Sequence, residues 1–479
     1  MPGVHTFYDG STLLQPLADQ LEVSVDKVNL VVCQFISLPL AFAQYKFLSP
    51  DKVSRKFRLA FPPLIGLVFC YFCYGNAMKH LLANVGISYF LMHYAPPQYV
   101  HKIVFLFSMG YLVFIHWYRF YVLTSYSIDV TGSMMVLVQK VTVLAFSLHD
   151  GKVKQLKELN DVQKREALLR PPEICEYISY MFCFQTVLTG PLCFFTDYMN
   201  WISGTYSEKG DKVKVPWRTV VWKLTQSLFF LFLIAKYGSV FYPEMVAEPE
   251  YMKLDWFRWC TLFFVVIFFQ RVQYYYAWTL ADTVCNAGGF GFSGYDENGK
   301  AKWDLVSNVN VWKVEVASSF KETLDSWNCC TMYWLRRVAY DRAPARYRTV
   351  ATYLLSAVWH GFFLGYYITF LTGALMTVAS RTARRCLRYR FQKTRLSRFL
   401  YDCFTFSVTK IVLAYVTFPF VTMHLNPGLF IYRRLYFIIH ILALMTIFVL
   451  PIVLPPLKQV EKGDRTKAVA SKVDEKKEN

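Results

Sequence analysis

Residues 349–380, TVATYLLSAVWHGFFLGYYITFLTGALMTVAS, contain no Asp, Glu, Lys or Arg. A membrane crossing takes roughly 20 mostly apolar residues, so this run is more than long enough for one. It exceeds a single straight span and carries Gly361, Gly365 and Gly373. It therefore reads either as a tilted helix or as two shorter helices joined at a break. His360 sits inside it, and its nearest charged neighbours in sequence are Arg348 and Arg381, 12 and 21 residues away. At about 1.5 Å per residue, the nearer one lies about 18 Å off along a helix. Ionisable groups within a membrane are expensive and mark functional sites by default. The other reading of His360 is a structural histidine with its hydrogen bonds satisfied.

Working outward, comparable apolar stretches recur at 28–48, 58–78, 80–98, 102–123, 132–148, 176–196, 217–242, 257–280, 349–379, 402–424 and 434–455, about eleven in all. The stretch 132–148 is short and carries Lys140, which suggests a partial or re-entrant segment. The 479 residues are 55% hydrophobic, 18% aromatic and 18% charged. Soluble domains carry about 25% charged residues. No polar linker divides the chain. Disorder, a secreted disulfide scaffold and an ordinary soluble enzyme are excluded, and the expected fold class is an all-α, polytopic transmembrane protein. It divides into a polar N-terminal segment, 1–27, a transmembrane domain, 28–455, and a charged tail, 456–479. The start lacks the basic and short apolar regions of a signal peptide, so the first apolar run is expected to stay as an anchor.

The net charge is +19. The basic residues lie in short segments between apolar runs, the pattern of cytoplasmic loops, which argues for membrane topology and against a nucleic-acid partner. Residues 381–398 hold Arg381, Arg384, Arg385, Arg388, Arg390, Lys393, Arg395 and Arg398 with no acid, and are placed in the cytosol. The chain ends Lys476-Lys477-Glu478-Asn479. That spacing matches the dilysine retrieval signal of endoplasmic reticulum membrane proteins, which is read on cytosolic tails. A multi-pass protein of that membrane with a cytosolic C-terminus is expected. Three segments interrupt the apolar pattern. Residues 149–173 read as a solvated amphipathic helix and residues 197–216 as a polar loop. Residues 281–348, with Trp303, Trp312, Trp327 and Trp334, lie at the interface or enter the interior.

Among the other histidines, His116 and His440 lie near Arg119 and Arg434 and read as interfacial. The best partner for His360 lies in Ser326-Trp327-Asn328. An Asn there either orients a hydroxyl and donates to a developing oxyanion, or simply caps a helix. Gly289-Phe-Gly291-Phe-Ser-Gly294 matches a dinucleotide fingerprint but follows an apolar span, so it reads as a turn. The run Tyr274-Tyr275-Tyr276-Ala277-Trp278 fits an aromatic belt or the lining of a lipid or acyl path. The twelve cysteines form no zinc pattern, and no metal is expected.

The run Ser356-Ala-Val-Trp359-His360-Gly361-Phe-Phe-Leu364-Gly365-Tyr366-Tyr-Ile-Thr-Phe370 resembles the signature of the membrane-bound O-acyltransferase (MBOAT) family, in particular its lysophospholipid acyltransferase branch. Ser326-Trp327-Asn328 with Trp334-Leu335 resembles the family's Asn motif. Tyr275 to Asp282, Gly291 to Gly294 and Thr189-Gly190-Pro191 to Asp197-Tyr198 resemble its other shared stretches. The resemblance covers roughly residues 10 to 455. It implies about eleven spans around a buried reaction chamber, acyl-CoA entering from the cytosol as co-substrate, a lysophospholipid entering from the bilayer, and no bound cofactor. His360 carries over as catalytic base and Asn328 as its partner. The aromatic residues within and beside these motifs, Trp359, Tyr366, Tyr276, Trp278 and Trp327, become candidates for contact with substrate. The basic Arg336, Arg337, Arg342 and Arg346 become candidate attractors for anionic CoA. Leu364 stands where the family is expected to have Pro, a change that bears on the helix break after His360. Lysophosphatidylethanolamine or lysophosphatidylserine is the favoured acceptor, with lysophosphatidylcholine next. A different acceptor, such as a protein or sterol, is the competing reading within the same fold. A transporter relaying ions through His360 calls for inverted repeats and paired intramembrane carboxylates, and the sequence has neither.

Overall fold

The computed structural model describes residues 8–123, 128–205 and 214–456. It is 74% helical, and strand among the described residues is confined to β1 (Gly294–Tyr295) paired with β2 (Ala301–Lys302). In chain order the helices begin with α1 (Gln15–Leu21), α2 (Val25–Phe47), α3 (Arg55–Tyr74), α4 (Met78–Tyr94), α5 (Val100–Tyr118) and α6 (Thr131–Val153). The short α7 (Asp161–Glu166), α8 (Ile174–Met181) and α9 (Phe195–Ser203) follow, then the long pair α10 (Trp217–Tyr237) and α11 (Trp256–Ala287). Next come three short helices, α12 (Val311–Val316), α13 (Phe320–Ser326) and α14 (Cys329–Leu335). The last group is α15 (Arg348–His360), α16 (Leu364–Leu387), α17 (Arg395–Thr422), α18 (Leu425–Arg434), α19 (Ile438–Phe448) and α20 (Leu450–Val453).

Among the described residues, 6 helices are long and apolar enough to cross a membrane, or 7 if the pair α18 and α19–α20, bent by 71°, is one span. The packing is that of a protein in lipid. The inward face of α2 carries Asp26, Asn29, Cys33, Gln34, Ser37 and Gln44. Large apolar side chains point outward instead, among them Ile36 on α2, Leu64 and Val68 on α3, Leu106 on α5 and Phe232 on α10. In water such a surface drives association. In hydrocarbon it is the solvated side, and helices then pack through small and polar residues.

Several local expectations are corrected. The stretch 132–148 belongs to the complete 23-residue helix α6, buried almost throughout. Lys140 is tolerated there because its ammonium donates to the carbonyl oxygens of Tyr180 (2.8 Å) and Met181 (3.4 Å) and to Thr186 Oγ1 (2.8 Å). Those carbonyls end α8, where a cation is favoured. The stretch 176–196 is not one span: α8 stops at Met181, and the chain to Phe194 is buried without forming a helix. Non-helical backbone at such depth survives only under protein cover. Residues 149–173 are not one solvated helix either. Instead α6 runs on to Val153, and Asp150 and Glu166 are buried. Within 197–216, the residues to Ser203 continue α9. The long 349–379 run is two helices, α15 and α16. The dilysine-like end of the chain lies outside the described residues.

Candidate active site

Helix α15 ends at His360 because Gly361 follows with φ 120° and ψ −157°, a backbone region that essentially only glycine occupies. A Cβ at Gly361 would run into the imidazole of His116. His116 is buried, and its Nε2 donates to the Trp359 carbonyl oxygen at 3.0 Å, covering a group that the broken helix leaves free. His116, which its sequence position placed near the interface, packs inside the protein. Leu364 begins α16 at a position where Pro is also well accommodated, since the first N–H of a helix has no partner within it. The break is made by Gly361, and the Gly365 N–H, donating to the Met423 carbonyl at 2.7 Å, pins the start of α16.

His360 lies in an aromatic cage. The ring of Phe370 stacks on it at 5.3 Å, Phe420 meets it edge-on at 5.0 Å, and Trp359 and Tyr366 stand at 4.7 and 5.5 Å. Among the described residues nothing hydrogen-bonds to its ring nitrogens. This differs from a satisfied structural histidine such as His440, which bonds Tyr415 Oη at 2.7 Å and Thr372 Oγ1 at 3.3 Å. His440, also expected near the interface, links α16, α17 and α19.

Asn328 occupies the N-cap position of α14 with φ 49° and ψ 50°, a left-handed conformation that Asn accepts better than most residues. Its side chain makes no capping bond. Asn308 does that work: its carbonyl oxygen accepts from the Cys329 N–H at 2.8 Å and its Oδ1 from the Cys330 N–H at 2.9 Å. Among the described residues the Asn328 amide has no hydrogen-bond partner. His360 and Asn328 are not hydrogen-bonded to each other. They are joined through Trp334 at the other end of α14, whose ring lies 5.6 Å from that of Trp359.

The remaining candidates separate. Trp359 and Tyr366 belong to the His360 cage. Trp278 and Trp327 meet each other at 5.0 Å, with Tyr274 and Tyr275 also against Trp327. Tyr276 is buried in a cluster with Phe230 and Val314, its hydroxyl unpartnered.

Beside the tryptophan pair opens a cavity of about 1180 Å³, whose walls include Trp278 and, close to Asn328 in sequence, Ser326, Cys329 and Cys330, but neither Asn328 nor His360. Its lining is rich in charge. Lys223 Nζ donates to Asp282 Oδ2 (2.6 Å), the Trp303 carbonyl (2.9 Å) and Asn286 Oδ1 (3.2 Å). Arg336 and Arg337 line the cavity as well. Arg337 is buried, donates to Ser147 Oγ and pairs with Asp150 at 3.4 Å, while among the described residues its Nε and Nη1 have no partner. Arg342 and Arg346, expected beside them, do not line the cavity. Arg342 is held bidentately by Asp150 at 2.6 and 2.9 Å, and Arg346 lies over Tyr347. At the rim, burial pushes the Asp197 carboxyl up to about 6, with Glu166 adding to the rise and Arg165 opposing it. Among the described residues no cluster of His, Cys, Asp and Glu is placed to hold a metal ion. Gly289, Gly291 and Gly294, all at positive φ, form the turn after α11.

The sequence reading missed two contributors, His116 and Asn308, and no sequence signal pointed to Asn308.

The profile of the MBOAT, membrane-bound O-acyltransferase family, matches residues 120–418. The chain is 40% identical over 462 residues to lysophospholipid acyltransferase 6 of Drosophila melanogaster, covering 93% of this chain but 64% of that protein's length. It is 38% identical over 484 residues to membrane-bound glycerophospholipid O-acyltransferase 2 of Rattus norvegicus, covering 98% of this chain and 93% of the relative. A similar match, 38% over 467 residues with 92% of each chain covered, is to membrane-bound glycerophospholipid O-acyltransferase 1 of Homo sapiens.

Proposed function

The chain belongs to the membrane-bound O-acyltransferase family, and from that premise we propose that it moves a fatty acyl chain from acyl-CoA to the free hydroxyl of a lysophospholipid. The observation that carries the mechanism is the imidazole of His360, held in an aromatic cage with its nitrogens unspent among the described residues. In its neutral form it takes the proton from the acceptor hydroxyl as that oxygen attacks the thioester carbonyl. The Asn328 amide, free of any capping duty, donates to the oxyanion of the tetrahedral intermediate. Collapse of the intermediate breaks the C–S bond, and the imidazolium returns its proton to the CoA thiolate. No acyl-enzyme forms. Arg336 and Arg337, on the cavity wall, suit the phosphates of CoA. The relatives' names favour a glycerophospholipid acceptor over a protein or a sterol. Lysophosphatidylethanolamine or lysophosphatidylserine with oleoyl-CoA is the preferred pairing, in the endoplasmic reticulum membrane with the C-terminus in the cytosol.

The test is acyl transfer in microsomes from oleoyl-CoA to a panel of lysophospholipids, comparing the wild type with His360→Ala and Asn328→Ala at matched expression. Transfer by the wild type, lost by about 100-fold or more in His360→Ala and reduced by about 100-fold in Asn328→Ala, supports the mechanism. The panel also identifies the headgroup. Full activity in His360→Ala sinks the mechanism, and an inactive wild type sinks the acceptor class.

A further inference from the structure

One face of α6 sets the spacing between the segments that carry Asn328 and His360. The Met135 carbonyl oxygen accepts the indole N–H of Trp359 at 3.1 Å. One turn on, the Gln139 side-chain amide donates to Thr331 Oγ1 at 2.9 Å. Thr142 Oγ1 then accepts the indole N–H of Trp334 at 2.9 Å. Positions 135, 139 and 142 are spaced i, i+4 and i+7, so they share a face. What they hold differs. Trp359 immediately precedes His360 in α15, whereas Thr331 and Trp334 belong to α14 and follow Asn328 by three and six residues.

Gln139 is the residue on which the two attachments converge. In a helix its main-chain N–H turns toward the Met135 carbonyl, the atom that also accepts Trp359. Its side chain holds Thr331. Gln139 and Thr331 are 2% and 7% exposed, so no solvent substitutes for this bond. An apolar pair of the same shape is nearly neutral for stability. The specific product of a buried amide–hydroxyl bond is therefore register. A displacement of about 1 Å at a reacting group costs about 100-fold in rate.

We propose that Gln139 is a positioning residue for acyl transfer: by holding Thr331 it fixes where the Asn328 amide sits relative to the His360 imidazole. This rests on the roles given to those two residues above. The test compares Gln139→Leu, Thr331→Val, the double variant and Thr331→Ser, with His360→Ala as reference. All are full-length and in membranes. The readouts are kcat, the KM for each substrate, and the thermal unfolding midpoint of the solubilised protein. Gln139→Leu is expected to lower kcat by about 10- to 100-fold with little change in either KM, since only transition-state geometry is affected. The double variant should regain stability, because no buried polar group is left unpaired, yet keep the low kcat. Thr331→Ser, which retains the acceptor, should restore most of it. A double variant that recovers kcat together with stability overturns the proposal, as does a folded Gln139→Leu at full kcat. Loss of activity in His360→Ala but not in Gln139→Leu sinks this inference alone. Full activity in His360→Ala overturns it together with the mechanism on which it rests.

Discussion

The cage around His360 and the cavity beside Trp278 are built from opposite materials. Four aromatic rings close on the imidazole, and among the described residues no polar side chain bonds it. In the cavity, Lys223, Asp282, Arg336 and Arg337 line a space of about 1180 Å³. A single short helix spans the gap between them. At one end of α14, Cys329 and Cys330 face the cavity, and at the other Trp334 touches Trp359. Seven residues of helix are about 10 Å long. The difference teaches a division of labour. A base keeps its lone pair available only where nothing competes for it, whereas an anionic carrier is held best by cations within reach of water. Under the proposed mechanism, a thioester would extend across this one helix from the charged cavity to the aromatic cage.

Three substitutions would break or sharpen that comparison, and the largest effect is expected at Gly361. Gly361→Ala puts a side chain at φ 120° against the His116 ring. Backbone strain of about 1–3 kcal/mol, added to the clash, should move the end of α15 and with it His360. A loss of kcat of about 10-fold or more is expected, following the effect of small displacements on rate. Activity near the wild-type level in a microsomal assay would show that the cage tolerates displacement, and the dry side would lose its claim to geometry.

On the wet side the effect should be smaller and of another kind. Arg336 is largely exposed, 3.7 Å from Asp341. Arg336→Gln is expected to raise the KM for acyl-CoA by about 3- to 10-fold with kcat unchanged, and to weaken the salt dependence of that KM, as screened attraction implies. A fall in kcat with KM intact would place Arg336 in the chemistry and erase the division.

The smallest effect concerns the rim. Asp197 titrates near 6 in the folded protein against an ordinary value of 3.8. A carboxyl raised by folding prefers its neutral form there, so its contribution to stability is present below about pH 4 and declines as pH rises through 6. Asp197→Asn removes that decline. The unfolding midpoint of the variant relative to the wild type should therefore be higher at pH 7.5 than at pH 5. The same difference at both values would mean that the Arg165 pair compensates the buried charge.

Much of this protein was legible in its sequence. Apolar runs of spanning length need no partner to declare themselves, because the cost of exposing them to water is a local property of each segment. The absence of charge around His360 is likewise a property of the chain alone, and the motif around it carried the family. Local reading erred wherever a charged or polar group found its partner far along the chain. Lys140 looked like an interruption and is a capped cation inside a full helix, satisfied by residues 40 and 46 positions away. His116 was read from its neighbour Arg119, and nothing in the local sequence pointed to its partner, the carbonyl of Trp359, 243 positions away. Asn328 read equally well as a helix cap or as a catalytic amide. Only the tertiary structure, by bringing Asn308 onto the start of α14, decided that the cap was already taken. Transfer free energy belongs to a segment and is written in composition and periodicity. A hydrogen bond between residues 20 or 200 positions apart exists only once the helices have packed.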